Sequence, residues 1–183
     1  MAFGSLLGFR NAATGFAESD NPNKNLYGTA GSWNNNADSV ETLAANTYGY
    51  IERQASTDFS GASNLCMMGF TAAANPPATS WNTIGWALYQ TNTTYEVRLG
   101  GSAVTSTTGS LGDTLRVQRE VNGDMKFMKN GIAFYTITGA TTGELKVDVA
   151  VANGNDAAKL ISMERGNGPF TPNWTGKINM VEY

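Results

Sequence analysis

Tryptophan placed outside any alternating strand pattern offers this chain its clearest chemistry. Trp33, Trp81 and Trp174 sit among Asn, Ser, Thr and Pro. There an indole face can stack on the apolar face of a pyranose while a neighbouring amide, such as Asn82, hydrogen-bonds the sugar hydroxyls. Trp81, Asn82, Trp33 and Trp174 are therefore the candidate glycan platform. A structural reading competes with it, because large aromatics in loops also plug the open ends of a sandwich or bury in a subunit contact. Trp86 differs from the other three: it stands in register with Ile84 and Leu88, which assigns it to a core.

Nucleophilic and metal chemistry find little to work with. The chain has no histidine, which removes Ser-His and Cys-His pairs and the usual imidazole ligands for zinc. Its single cysteine, Cys66, lies in the apolar run "LCMMGF" and reads as a buried, inert thiol that forms no intramolecular disulfide. The triplets Asn92-Thr93-Thr94 and Asn173-Trp174-Thr175 read as chance in a chain rich in Asn and Thr. No catalytic residue, metal or cofactor is expected.

Charge narrows the partners. Lys and Arg number 12 against 15 Asp and Glu, for a formal net charge of -3 and a pI near 4.9, so no positive field exists to gather phosphates and nucleic acid is excluded. Gly4, Ser5, Gly8 and Arg10 interrupt the first residues, which lack the pattern of a signal peptide. No segment is apolar enough to span a bilayer, and membrane insertion is not expected. The expectation is synthesis in a host cytoplasm, with exit inside a virion, by lysis or by another route.

The elements that must hold these residues are strands. At 183 residues, with 21 glycines and only 15% charged residues, one all-β domain of short strands and tight turns is predicted. Residues 1–39, rich in Asn, Gly, Ser and Asp, read as an irregular arm outside the core, with a short strand near Ser5 to Phe9. The sandwich is predicted to occupy residues 40–183. Alternation marks strands at "YGYIERQAS", the hairpin "TIGWALYQTNTTYEVRLGG" and "ELKVDVAVAN", a nearly continuous apolar run marks "NLCMMGFTAA", and a short strand around Val104, "AAKLISMER" and "GKINMVEY" complete the set. In "GDTLRVQREVNGDMKFMKNGIAFYTI", Asn122-Gly123 and Asn130-Gly131 predict the positive φ angles of tight hairpin turns. Glu144 and Asp148 share a strand face that reads as solvated. With no helix to cover an apolar sheet face, a second antiparallel sheet must do so.

The run from Gly112 to Ile137, with "IGWALYQTNTTYEVRLGG" before it and "GELKVDVAVANGNDAAKLISME" after it, resembles concanavalin A-like lectin/glucanase jelly rolls. It is most similar to the SPRY-like and LamG-like versions found in phage structural and bacterial surface proteins. Gly112, Asp113, Leu115, Lys129, Asn130 and Gly131 carry the likeness, which covers roughly Val40 to Glu164. These are turn and core formers, so Asp113 is expected to cap a turn. Glucanases of that superfamily carry Glu-x-Asp-x-x-Glu on one strand face. The nearest approach here, Glu18 to Asn23, ends in Asn, so an enzyme is not expected. The oxygens of Asp58 to Asn64 and Asn153 to Asp156 raise the question of calcium and read instead as turns.

The resemblance, the polar arm and the missing disulfides imply a non-enzymatic structural and adhesion protein of a virion surface: a phage capsid decoration, fibre or tail component. Phe3, Leu6, Leu7, Phe9 and Phe170 are then the candidate contacts to other copies of the chain or other virion proteins, and a cell-surface glycan is the candidate ligand. The alternatives are a soluble or secreted carbohydrate-binding module and a glycoside hydrolase without the usual motif.

Overall fold

Fourteen strands lie among the described residues. The computed structural model describes residues 9–11, 16–18, 25–28, 33, 35–55, 65–76, 80–91, 93–152 and 157–166. The strands are β1 Phe9–Asn11, β2 Phe16–Glu18, β3 Asn25–Gly28, β4 Asn35–Leu43, β5 Tyr48–Gln54, β6 Cys66–Ala72, β7 Trp86–Gln90, β8 Thr94–Leu99, β9 Ser102–Thr108, β10 Thr114–Arg119, β11 Met125–Lys129, β12 Ile132–Ile137, β13 Leu145–Val151 and β14 Ala157–Gly166. One 3-10 turn, Trp81–Thr83, precedes β7.

Two seven-stranded antiparallel sheets result, ordered β1-β4-β13-β6-β7-β8-β9 and β12-β11-β10-β5-β14-β3-β2. Their facing sides bury Ile51, Met68, Phe70, Leu88, Val97, Leu115, Val117, Phe127, Val147 and Val149 in one core, against which Trp86 packs as its strand register requires. The all-β sandwich is the predicted architecture.

Most described residues ahead of Val40 lie in the two sheets, where composition suggested an irregular arm. The division expected between Ser39 and Val40 falls inside β4, which lies between β1 and β13 in the first sheet, while β2 and β3 extend the second. Asn and Gly lower strand propensity, yet pairing with an existing sheet supplies backbone hydrogen bonds that propensity does not count. The strand foreseen around Val104 runs the length of β9, and the last one foreseen, "GKINMVEY", lies outside the described residues.

Turn chemistry fixes the meander. Asn130 and Gly131 both adopt positive φ, 51° and 79°, closing a two-residue hairpin between Lys129 and Ile132. At Asn122-Gly123 only the glycine has positive φ, because the β10–β11 connection is longer and Glu120 N bonds Asp124 O at 2.8 Å. On one flank of the sandwich each sheet ends in an edge strand with a bulge. Val104 is the extra residue of β9 and Phe134 that of β12, and bulges of this kind blunt an edge against pairing with another chain.

Candidate functional site

The outer face of the first sheet carries most of the unusual chemistry. Along β13, Leu145, Val147, Val149 and Val151 point into the core, yet Lys146, Asp148 and Ala150 on the other side are buried as well. The expectation that Asp148 is solvated is therefore wrong, whereas Glu144 is exposed. Alternation assigns a residue to a face, and this face is covered.

Part of the cover is aromatic. Trp33, Trp81 and Tyr89 pack on a second small cluster of Met67, Ile84, Ala87 and Ala150. The small side chains at Ala87 and Ala150 leave room for indole rings above the sheet. Trp33 lies 5.9 Å from Trp81 and 5.5 Å from Tyr89 between ring centroids, at 48° and 61°, within the tilted and edge geometries that aromatic pairs favour. Asn36 Nδ2 donates to Trp33 O at 2.9 Å, tying the ring's backbone to β4. The 3-10 turn holds Trp81, with Thr83 N and Oγ1 both donating to Ser80 O at 3.1 and 2.7 Å.

Arg98 borders the cluster. Its Cζ sits 5.3 Å from the Trp81 ring and 4.7 Å from that of Tyr89, in the range of cation–π attraction. Its Nε and Nη2 donate to Glu96 Oε2 at 3.0 and 2.7 Å, and its Nη1 donates to Gly101 O at 3.0 Å. With each guanidinium nitrogen committed, Arg98 braces the rings more than it offers free donors. Asn82 is exposed beside them, and the β8–β9 turn closes on it: a Cβ at Gly101 would stand 2.7 Å from Asn82 Cβ.

Three of the four platform residues thus meet. Trp33 and Trp81 are half-buried in contact with each other, Asn82 is exposed next to Trp81, and Trp174 lies outside the described residues. The two tryptophans cover the sheet while remaining half open. Among the candidate assembly residues, Phe9 is in β1, paired with Ser39 of β4. Phe3, Leu6, Leu7 and Phe170 lie outside the described residues, as do Asp58 to Asn64 and Asn153 to Asp156. Tyr89, Glu96 and Arg98 were missed. The hairpin register that puts Tyr89 opposite Glu96 and Ala87 opposite Arg98 was the signal for them, because those positions alternate with the core-facing ones.

Asp113 caps a turn. Its Oδ2 accepts from Ser110 N at 2.8 Å and from Tyr95 Oη at 3.1 Å, and its Oδ1 accepts from Asn130 Nδ2 at 2.7 Å. Burial, then the Asp113 charge and hydrogen bond, push the Tyr95 hydroxyl up to about 12, so it serves as a structural donor. Among the described residues no group of three His, Cys, Asp or Glu is placed to hold a metal ion.

No protein-family model matches the sequence, and no curated protein matches it. Solved structures do match in shape. The metal-free carbohydrate recognition domain of Emp46p superposes with a TM-score of 0.60 at 11% identity, covering 90% of this chain and 89% of that one. The exoplasmic/lumenal domain of VIP36 bound to Ca2+ and Man3GlcNAc gives 0.53 at 15% identity, covering 94% and 92%. The fold is the antiparallel two-sheet β-sandwich of these domains. A third match, the Emp47p carbohydrate recognition domain, has a TM-score of 0.52 at 13% identity over 89% of each chain. At such identities the likeness speaks for the fold and assigns no residue a role.

Proposed function

We propose that this protein is a non-enzymatic, lectin-like glycan-binding protein whose site is the face formed by Trp33, Trp81, Tyr89 and Asn82. The observation that carries the reading is the half-open pair of Trp33 and Trp81, braced by Arg98 and flanked by the exposed Asn82. Such a surface presents flat apolar area for a sugar ring beside an amide for its hydroxyls, and holds no nucleophile or base poised for bond cleavage. Structural neighbours described as carbohydrate recognition domains support it. Glycan-array binding followed by calorimetry tests it: Trp81→Ala and Trp33→Ala should abolish binding while the fold survives. Unchanged binding by both variants would refute this site, and release of free sugar from polysaccharides would refute the non-enzymatic assignment.

The setting proposed for this site is the surface of a virion. The resemblance of the Gly112–Ile137 run to jelly rolls of phage structural proteins supports that setting. A shallow site of this kind binds feebly alone and gains strength through repetition on one particle. Electron microscopy of the native material checks it, an ordered particle being the expected result and a dispersed monomer the contrary one.

A further inference from the structure

Asp148 is fully buried in the middle of β13, directly opposite Asp38 of β4, and neither of its carboxyl oxygens accepts a hydrogen bond of good geometry. Among the described residues the surrounding charges compensate it only in part. Lys146, the neighbour on the same face of β13, commits its Nζ to Asp38 Oδ2 and to Asn75 O, both at 2.9 Å. On the other side the cross-strand partner in β6 is Gly69, followed by Ala87 in β7. The next charge in that row is Arg98 of β8, which is paired with Glu96. Beyond Asp38, the register places Arg10 of β1 opposite that residue.

An ionised carboxylate without donors is among the costliest groups to bury, and a buried acid resolves this by keeping its proton. A protonated carboxyl also becomes a donor, and the register sets Asp38, an acceptor, directly across the seam. We propose that Asp148 holds a proton at neutral pH and shares it with Asp38, and that losing it in mild alkali loosens the β4–β13 seam and the aromatic face above it. Burial first, and the Asp38 charge second, push the Asp148 carboxyl up to about 8 against the opposing pull of Lys146 and the Val149 N–H.

The seam is built to give at this point. Its register slips between Lys146 and Asp148, and the Val147 N–H is taken by Ser39 Oγ at 3.0 Å. Two carboxylates ionised side by side on adjacent strands repel, and here the ladder that would resist them is locally disrupted. Asn36, two residues from Asp38 on the same face of β4, carries the displacement to Trp33 through its bond to Trp33 O. Trp33 in turn contacts Trp81 and Tyr89. The effect on ligand rests on the glycan-binding reading above; the proton switch does not.

Tryptophan fluorescence and infrared spectroscopy of the full chain, titrated from about pH 6 to about pH 10 around the value near 8, test the switch. The wild type should show a one-proton fluorescence transition and a protonated-carboxyl infrared band that fades through it. Asp148→Asn, which keeps the shape and a donor without the charge, should show neither and should resemble the wild type at neutral pH. Absence of the carboxyl band at neutral pH, or an unchanged transition in Asp148→Asn, overturns the proposal. If that variant does not fold, the infrared titration of the wild type decides by itself. Glycan affinity should fall about tenfold across the transition, a typical coupling between linked sites. A transition with constant affinity overturns the coupling, whereas no glycan binding at any pH overturns the ligand reading and leaves the proton result standing.

Discussion

Asn130 and Asp113 lock two turns of the second sheet to each other. Asn130 Nδ2 donates to Asp113 Oδ1 at 2.7 Å while Asn130 Oδ1 accepts from Thr114 N at 2.8 Å. Asn130 holds a positive φ of 51°, a conformation Asn tolerates better than most residues. Desolvation works to raise the Asp113 carboxyl, but its bonds from Asn130, Ser110 N and Tyr95 prevail and hold it below the ordinary value. Asp113→Ala should cost about 1–2 kcal/mol, a charged acceptor's contribution discounted for solvent screening. Because the folded value is depressed, this stabilisation is present above the unfolded value near 3.8 and disappears as pH falls below it. Urea denaturation at neutral and acid pH measures both effects.

Arg119 staples the opposite end. It is fully buried, its Nε and Nη2 donate to Thr47 O at 2.9 and 2.7 Å, and it also bonds Gly143 O and Ala44 O. Arg119→Met should deprive Thr47 O and Gly143 O of this donor, leave Ala44 O with only the Thr47 hydroxyl, and lower stability by about 3 kcal/mol or more. A thermal melt should show a markedly lower Tm with native-like far-ultraviolet circular dichroism below it.

Gly101 ties turn geometry to the candidate site. Its φ is +85°, and an added Cβ would meet Asn82 Cβ at 2.7 Å. Gly101→Ala should cost about 1 kcal/mol through the positive φ and displace Asn82, weakening glycan binding beyond the stability loss. Binding measured well below the melting temperature separates the two, and full affinity in a destabilised variant would remove Asn82 from the site.

Asp148 sets a pH dependence of opposite sign to that of Asp113. Its folded value of about 8 exceeds the unfolded 3.8, so between those limits the native state binds more protons than the unfolded chain. Stability should therefore be highest below this window and fall as pH rises through it. Urea melts should show the slope in the wild type and its loss in Asp148→Asn, with the variant the more stable of the two at alkaline pH.

Period and turn chemistry alone determined the strands from β5 to β14 and the hairpins between them. Leu115 and Val117 against Arg116 and Gln118, and the Asn130-Gly131 turn, encode local geometry in adjacent residues, because a strand alternates faces at every step. Two sheets followed from the lack of any helix to cover an apolar face. Tertiary structure alone decided what covers each face. Composition marked residues 1–39 as an arm, yet long-range pairing draws β1 to β4 into the sheets. Alternation placed Asp148 away from the core without revealing that the outer face is itself buried. The same packing brought Trp33 against Trp81 and Tyr89, residues far apart in the chain. Burial and cross-strand neighbours are properties of surfaces meeting in space, and no local pattern of side chains records them.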